Sequence, residues 1–170
     1  MWHLSSVTAR GIAVRLFGLR PLLAGWRVEL QGDVFVKGKV WAPGRGRLHI
    51  GRGVRLIGEP APIELRAHEE AEIWIEDGVL IEGGTSIEAT RSVRVGARSR
   101  IGPFCKILDN HFHAVSDRRL RPESVPIVIG EDCALGPRAI LLPGAEMGAG
   151  ARVGPAGVLS FHLRAGAELA

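Results

Sequence analysis

Between Ile129 and Ser160 the chain repeats itself every six residues, and that period limits the fold more than any other feature of the sequence. Positions 129, 135, 141, 147 and 153 are Ile, Leu, Leu, Met and Val, and the following residue is Gly130, Gly136, Leu142, Gly148 or Gly154. Four places after each apolar residue comes something small: Cys133, Ala139, Ala145, Ala151 and Gly157. An amphipathic helix repeats at about 3.6 residues and an ordinary strand at 2, so neither accounts for six. A short strand plus a turn does, with one aliphatic side chain pointing inward per step. Glycine after that residue suits a turn that needs φ > 0 or close backbone approach. Three steps close a triangular coil of about 18 residues, and stacked coils pair as parallel ladders roughly 4.8 Å apart. The expected fold is all-β, a parallel β-helix.

The same period can be followed upstream. Ile50-Gly51 followed by Val54 is one hexad, Pro60 and Pro62 interrupt the series, and Ile75, Ile81 and Ile87 resume it with Glu76, Glu82 and Glu88 in the glycine position. Val95 then comes eight residues after Ile87, which predicts a two-residue bulge at a corner. Ile101 and Ile107 continue, after which 22 residues pass before Ile129, an insertion of 16. The coiled part from Val34 to Ser160 gives roughly six coils. We divide the chain into a segment 1–30 and a β-helix 31–170 carrying an inserted loop, 109–126.

Residues 1–30 hold Arg10, Arg15, Arg20 and Arg27 and no acid before Glu29. Arg15 and Arg20 break the apolar residues, leaving no run near the ~18–20 that a membrane span needs and no continuous apolar core for a signal peptide. A short amphipathic helix capping the open end of the coil stack is the preferred reading. The alternative is an interfacial helix lying on an anionic membrane. The expected location is the cytoplasm, with that helix as a peripheral contact at the inner membrane face.

Composition adds limits. A hydrophobic content of 46% argues for a packed fold despite 23 glycines, and the net charge of +4 is modest. It suits a phosphate-bearing ligand or an anionic surface, but no basic stripe with interleaved aromatics points to nucleic acid. Cys105 and Cys133 fall on the small position of their hexads, which predicts two buried thiols.

The insertion concentrates polar chemistry: Asp109-Asn110-His111-Phe112-His113, then Arg118, Arg119 and Arg121. Long loops on rigid scaffolds are where function gathers, and imidazole is the side chain suited to accept a proton near neutral pH. The arginines fit coenzyme phosphates, an acidic acceptor or a solvated cluster equally well. His49, His68 and His162 stand alone in the sequence and read as surface or turn residues.

The repeated Ile-Gly-x-x-Ala-x pattern resembles the hexapeptide-repeat acyltransferases, and the loop resembles the maltose, galactoside and polysaccharide O-acetyltransferase branch. That branch carries Asp-x-Asp-Phe-His-Pro-Ile-Asp and then Ile-Gly-Asp-x-Val-Trp-Ile-Gly. Here the matching stretches are Asp109 to Ser116 and Ile129 to Gly136. The resemblance implies a left-handed coil, which periodicity alone cannot give. It also implies acetyl-CoA as co-substrate with no metal, a sugar or glycan acceptor, and a homotrimer. His113 falls on the family's general base, with His111 as a second candidate and Asp109 as a polar contact. By position Gly136, Ala139, Ala156, Gly157 and Ser160 would contact the coenzyme.

Three departures stand against this. Cys133-Ala134-Leu135-Gly136 lacks the family's Trp, Gly154 to Ser160 reorders its small residues, and Phe161 to Ala170 replaces its coenzyme-closing tail. A non-catalytic β-helix scaffold is therefore the alternative. An amine acceptor belongs to the same chemistry. A metal-dependent hydratase of the γ-carbonic-anhydrase type fits less well, because His111 and His113 are two apart in a loop rather than placed on coil faces.

Overall fold

The computed structural model describes residues 8–9, 12–13, 27–114, 116–117, 119–120 and 122–170. It is a parallel β-solenoid of triangular section. The first face carries seven strands in order, Arg27–Leu30, Arg47–Ile50, Glu72–Ile75, Ser92–Val95, Ile127–Ile129, Glu146–Met147 and His162–Leu163, each pairing in parallel with the next. The second and third faces share one 11-stranded sheet, because Val34–Trp41 and Val54–Ala67 run across the corner between them. In later coils that corner breaks each run into short strands such as Ala134–Leu135 and Ile140–Leu141.

Register explains why the interior is apolar. On the first face Leu30, Ile50, Ile75, Val95, Ile129, Met147 and Leu163 lie one above another. Leu56, Ile81, Ile101, Leu135 and Val153 do the same on the second face. Leu65, Ile87, Ile107, Leu141 and Leu159 form the third column. These columns make one core, in which Ile81, Ile101 and Ile107 have no solvent exposure. Each such side chain contributes about 1.5–3 kcal/mol by leaving water. Cys105 and Cys133 are buried, unpaired thiols, as the hexad predicts. Their Sγ atoms donate to the carbonyls of Gly136 and Gly148, both at 3.2 Å.

The stack has seven coils on its first face rather than six. It begins at Arg27 and continues through His162–Leu163 and Glu168–Leu169. The segment that departs from the family's tail is thus one more coil. The helix expected over 1–30 lies mostly outside the described residues. Of its members, Thr8–Ala9 and Ile12–Ala13 pair antiparallel, and Arg27–Leu30 already belongs to the first face.

The repeated glycine serves close approach, not positive φ. A Cβ on Gly96 would sit 2.5 Å from the Gly130 carbonyl carbon, and one on Gly136 would sit 2.6 Å from Pro155 N. Positive φ falls two residues later, at Arg98, Asp132 and Gly150 on one corner and at Phe104, Arg138 and Ala156 on the next. The predicted two-residue bulge is Thr90–Arg91, between Ser86–Ala89 and Ser92–Val95.

Candidate functional site

Every long departure from the period after Pro62 occurs at the corner leading from the third face back to the first. Residues 68–71 leave it in one coil, Thr90–Arg91 in the next, and the insertion in the one above. The three extensions stack, and a cleft of about 470 Å3 opens between them, lined by His68, Thr90, Asn110, Phe112, Pro122 and Ser124.

Asp109 holds this arrangement together. It is fully buried. Its Oδ1 accepts from Thr90 N at 2.8 Å, Thr90 Oγ1 at 2.9 Å and Asn110 Nδ2 at 3.1 Å. Its Oδ2 accepts from Arg91 N at 2.7 Å and Ser92 N at 2.8 Å. A carboxylate has about four lone-pair sites, so this one is fully engaged with the bulge below it. The neck of the loop closes where Val125 N donates to Asp109 O at 2.9 Å. Asp109 therefore stands behind the loop, and the contact expected of it with acceptor or base is replaced by backbone amides.

The loop itself is turned outward. His111 and His113 are exposed, and His113 N donates to His111 O at 2.6 Å. His113 Nδ1 lies 3.4 Å from Ala114 O, which leaves Nε2 as the open ring nitrogen. Phe112 between them has φ of 56°, a left-handed conformation uncommon for a bulky side chain, and Asn110 Oδ1 pins its amide at 3.2 Å. Arg119 donates from its backbone and side chain to Asp117, which holds the Asp117 carboxyl below its usual range. Arg118 and Arg121 lie outside the described residues.

Sequence reasoning missed the partner histidine. His68 Nε2 meets Glu88 Oε1 at 2.6 Å, and its ring centroid is 6.5 Å from that of Phe112. Glu88 was visible as a carboxylate in a glycine position. The coil is 22 residues long on this face, where Arg66 stacks on Glu88 and Ala67 on Ala89, so His68 lies just past the strand and reaches Glu88 from 20 residues away.

The coenzyme candidates sit elsewhere. Gly136, Ala139, Ala156 and Gly157 belong to the corner between the second and third faces, and Ser160 is exposed beyond Leu159. Ala139 and Gly157 are buried. The Ala139 amide donates to Gly136 O and the Gly157 amide to Gly154 O, while their carbonyls accept from Lys106 N and Ile140 N. Gly136 does line a groove of about 420 Å3, together with Gly154, Pro137, Pro155, Arg100 and Arg152. Within one chain the third face separates this groove from the loop. Among the described residues no three His, Cys, Asp or Glu side chains converge as a metal site would require. No helix among them is long and apolar enough to cross a membrane.

No family model matches the sequence, and no curated protein does. Among solved structures the chain is similar to the polysialic acid O-acetyltransferase OatWY, with a TM-score of 0.57 and 16% identity over 81% of this chain and 74% of that one. It also aligns with the polySia-specific acetyltransferase NeuO, with a TM-score of 0.36 and 17% identity over 82% of this chain and 80% of that one. At this identity the first likeness is one of fold, and it agrees with the solenoid the period predicts.

Proposed function

We propose that this solenoid transfers an acetyl group from acetyl-CoA to a hydroxyl of a sugar or glycan, with His113 as general base. The observation that carries the reading is the loop: the one insertion of 16 residues in the strict upper repeat projects a His-Phe-His triplet and is anchored by a buried carboxylate. The shared fold with a polysialic acid O-acetyltransferase supports the class of reaction, and fold by itself does not fix function.

In this reading the acceptor hydroxyl forms its bond to the thioester carbonyl carbon as its proton passes to His113 Nε2. The carbon–sulfur bond then breaks, and the imidazolium returns the proton to the departing thiolate. A positioned base of this kind contributes about 10²–10⁴ in rate. Among the described residues neither Ser116 nor Ser124 of the loop is hydrogen-bonded to a histidine as an acyl-enzyme nucleophile would be, which favours direct transfer.

Acetyl-CoA fits the groove beside Gly136 in one respect: Arg100 and Arg152 are exposed cations for phosphate, in a lining they share with Glu82 and Glu168. Because loop and groove occupy different corners, a complete site needs the loop of one copy against the groove of another. That favours a cyclic homo-oligomer such as the trimer the resemblance implies. The same separation favours a scaffold if the chain acts as a monomer.

Calorimetric titration with acetyl-CoA tests the first step. Micromolar binding near one per subunit supports the transferase, and none up to millimolar coenzyme points to the scaffold. With an acceptor in hand, His113→Ala should lower kcat by two or more orders of magnitude while coenzyme affinity stays within about twofold. Unchanged turnover would move the role to His111.

A further inference from the structure

We propose that the cleft beneath the inserted loop binds a neutral saccharide ring, seated on Phe112 and hydrogen-bonded through its hydroxyls to His68 Nδ1 and Ser124 Oγ. Naming that ring the acceptor rests on the acetyl-transfer reading; the site rests on the geometry alone.

The hydrogen-bond polarity of the cleft can be worked out atom by atom. Glu88 as a carboxylate only accepts, so His68 Nε2 is the donor in their 2.6 Å contact, and in the neutral imidazole Nδ1 is left as an acceptor. Thr90 Oγ1 donates to Asp109 Oδ1 at 2.9 Å. In the Thr90–Ser124 contact Ser124 must then be the donor, which leaves the lone pairs of Ser124 Oγ free. Asn110 is occupied on both sides, by Asp109 and by the Phe112 amide. Among the described residues the lining therefore offers two neutral acceptors and no Lys or Arg. Glu88 is hydrogen-bonded by His68 and has Arg66 at 3.7 Å as its counter-charge. Among the described lining residues an anionic ligand finds no cation, whereas hydroxyl donors find two acceptors.

The aromatic completes the match. Phe112 is 48% exposed and is held in a left-handed backbone conformation by Asn110, itself 5% exposed. A buried amide thus presents a bare ring at the mouth of a polar cleft. The C–H face of a sugar ring covers such a surface while its hydroxyls reach the polar wall. The volume of about 470 Å3 lies in the range of small-molecule sites, roughly 300–1,000 Å3. His113 follows Phe112 directly in the chain, which puts the proposed base on the same loop as the ring that seats the sugar.

Saturation-transfer NMR of the full chain with a panel of neutral methyl glycosides (hexosides and N-acetylhexosaminides) tests the site without coenzyme. At least one should bind at about millimolar affinity or better. Phe112→Ala should weaken it by about tenfold or more, His68→Ala by about fivefold, and Phe112→Tyr little, with unchanged circular dichroism in each. Ser124→Ala is the companion variant should His68→Ala perturb folding. No binding across the panel overturns the proposal, as does binding indifferent to Phe112 and to both polar variants. The two readings separate when acetyl-CoA is added. A glycoside that binds through Phe112 and is never acetylated removes the transferase and leaves the site. One that is acetylated with a KM unmoved by Phe112→Ala and His68→Ala removes the site and leaves the transferase.

Discussion

Two corners of the same solenoid obey opposite rules. From the first face to the second, the inward residues are always six apart: Ile50 to Leu56, Ile75 to Ile81, Val95 to Ile101, Ile129 to Leu135, Met147 to Val153 and Leu163 to Leu169. From the third face to the first, the spacing runs from 10 between Leu65 and Ile75 to 8 between Ile87 and Val95, then 22, 6 and finally 4 between Leu159 and Leu163. At the constant corner the glycine positions stack backbone on backbone, as at Gly96, where a Cβ would sit 2.5 Å from the Gly130 carbonyl carbon. The variable corner turns outward and closes its coils with side chains, above all Asp109. After Pro62 this scaffold confines length variation to one edge, and that edge is where His68, His111, His113, the cleft and the loop are found.

The comparison can be broken most severely by editing the constant corner. Inserting one residue between Ala97 and Arg98 shifts the following strand by one, turning Ile101 outward. Loss of cooperative unfolding in urea is the expected result. Replacing residues 111–121 with two glycines at the variable corner should leave the urea midpoint nearly unchanged. A fold that tolerates both edits, or neither, would erase the distinction.

Next in size is Asp109→Ala, which strands three backbone amides of the bulge. A destabilisation of about 3 kcal/mol is expected by chemical denaturation, with Asp109→Asn recovering part of it. If Asp109 instead served substrate, the alanine variant would keep its stability and lose only turnover.

Cys105, buried at the corner between the second and third faces, gives a pH test. Burial pushes its thiol up to about 11. The folded state therefore holds this proton where the unfolded chain has begun to lose it. The resulting stability is present below the ordinary thiol range and is lost as pH rises from about 9 towards 11. The urea midpoint should fall across that window, less steeply in Cys105→Ala, and alkylation of Cys105 at pH 8 should wait on unfolding.

The smallest effect belongs to Ala156, held at φ of 58°. Ala156→Gly relieves a left-handed alanine and should stabilise the chain by about 0.5–1 kcal/mol in thermal or urea melts. A loss of stability would mean that its methyl packs usefully.

How much of this the sequence disclosed follows the same division. Where the period holds, the side-chain direction of each residue can be read from its number, so the core columns, the buried thiols and the 90–91 bulge were all legible. Where length varies, number no longer implies direction. Asp109 reads as one more polar loop residue in the sequence, yet it is fully enclosed, because what buries it is a bulge 17 to 19 residues away. His68 and Glu88 look unrelated until the 22-residue register that stacks Ala67 on Ala89 is known. The glycine rule was half legible: a missing side chain shows that space is short, but not that the left-handed residue comes two places later.

The neck joining Asp109 O to Val125 N has a consequence for how such a chain can change. Lengthening a coil from 18 residues to 34 nearly doubles the segment that must be closed, and each doubling costs only about 0.6 kcal/mol of closure entropy. One well-placed backbone hydrogen bond is worth roughly as much. Once the neck is tied, the chain beyond it is thermodynamically almost free to lengthen, shorten or be rewritten. Specificity can then drift at this edge while the rest of the molecule stays in register.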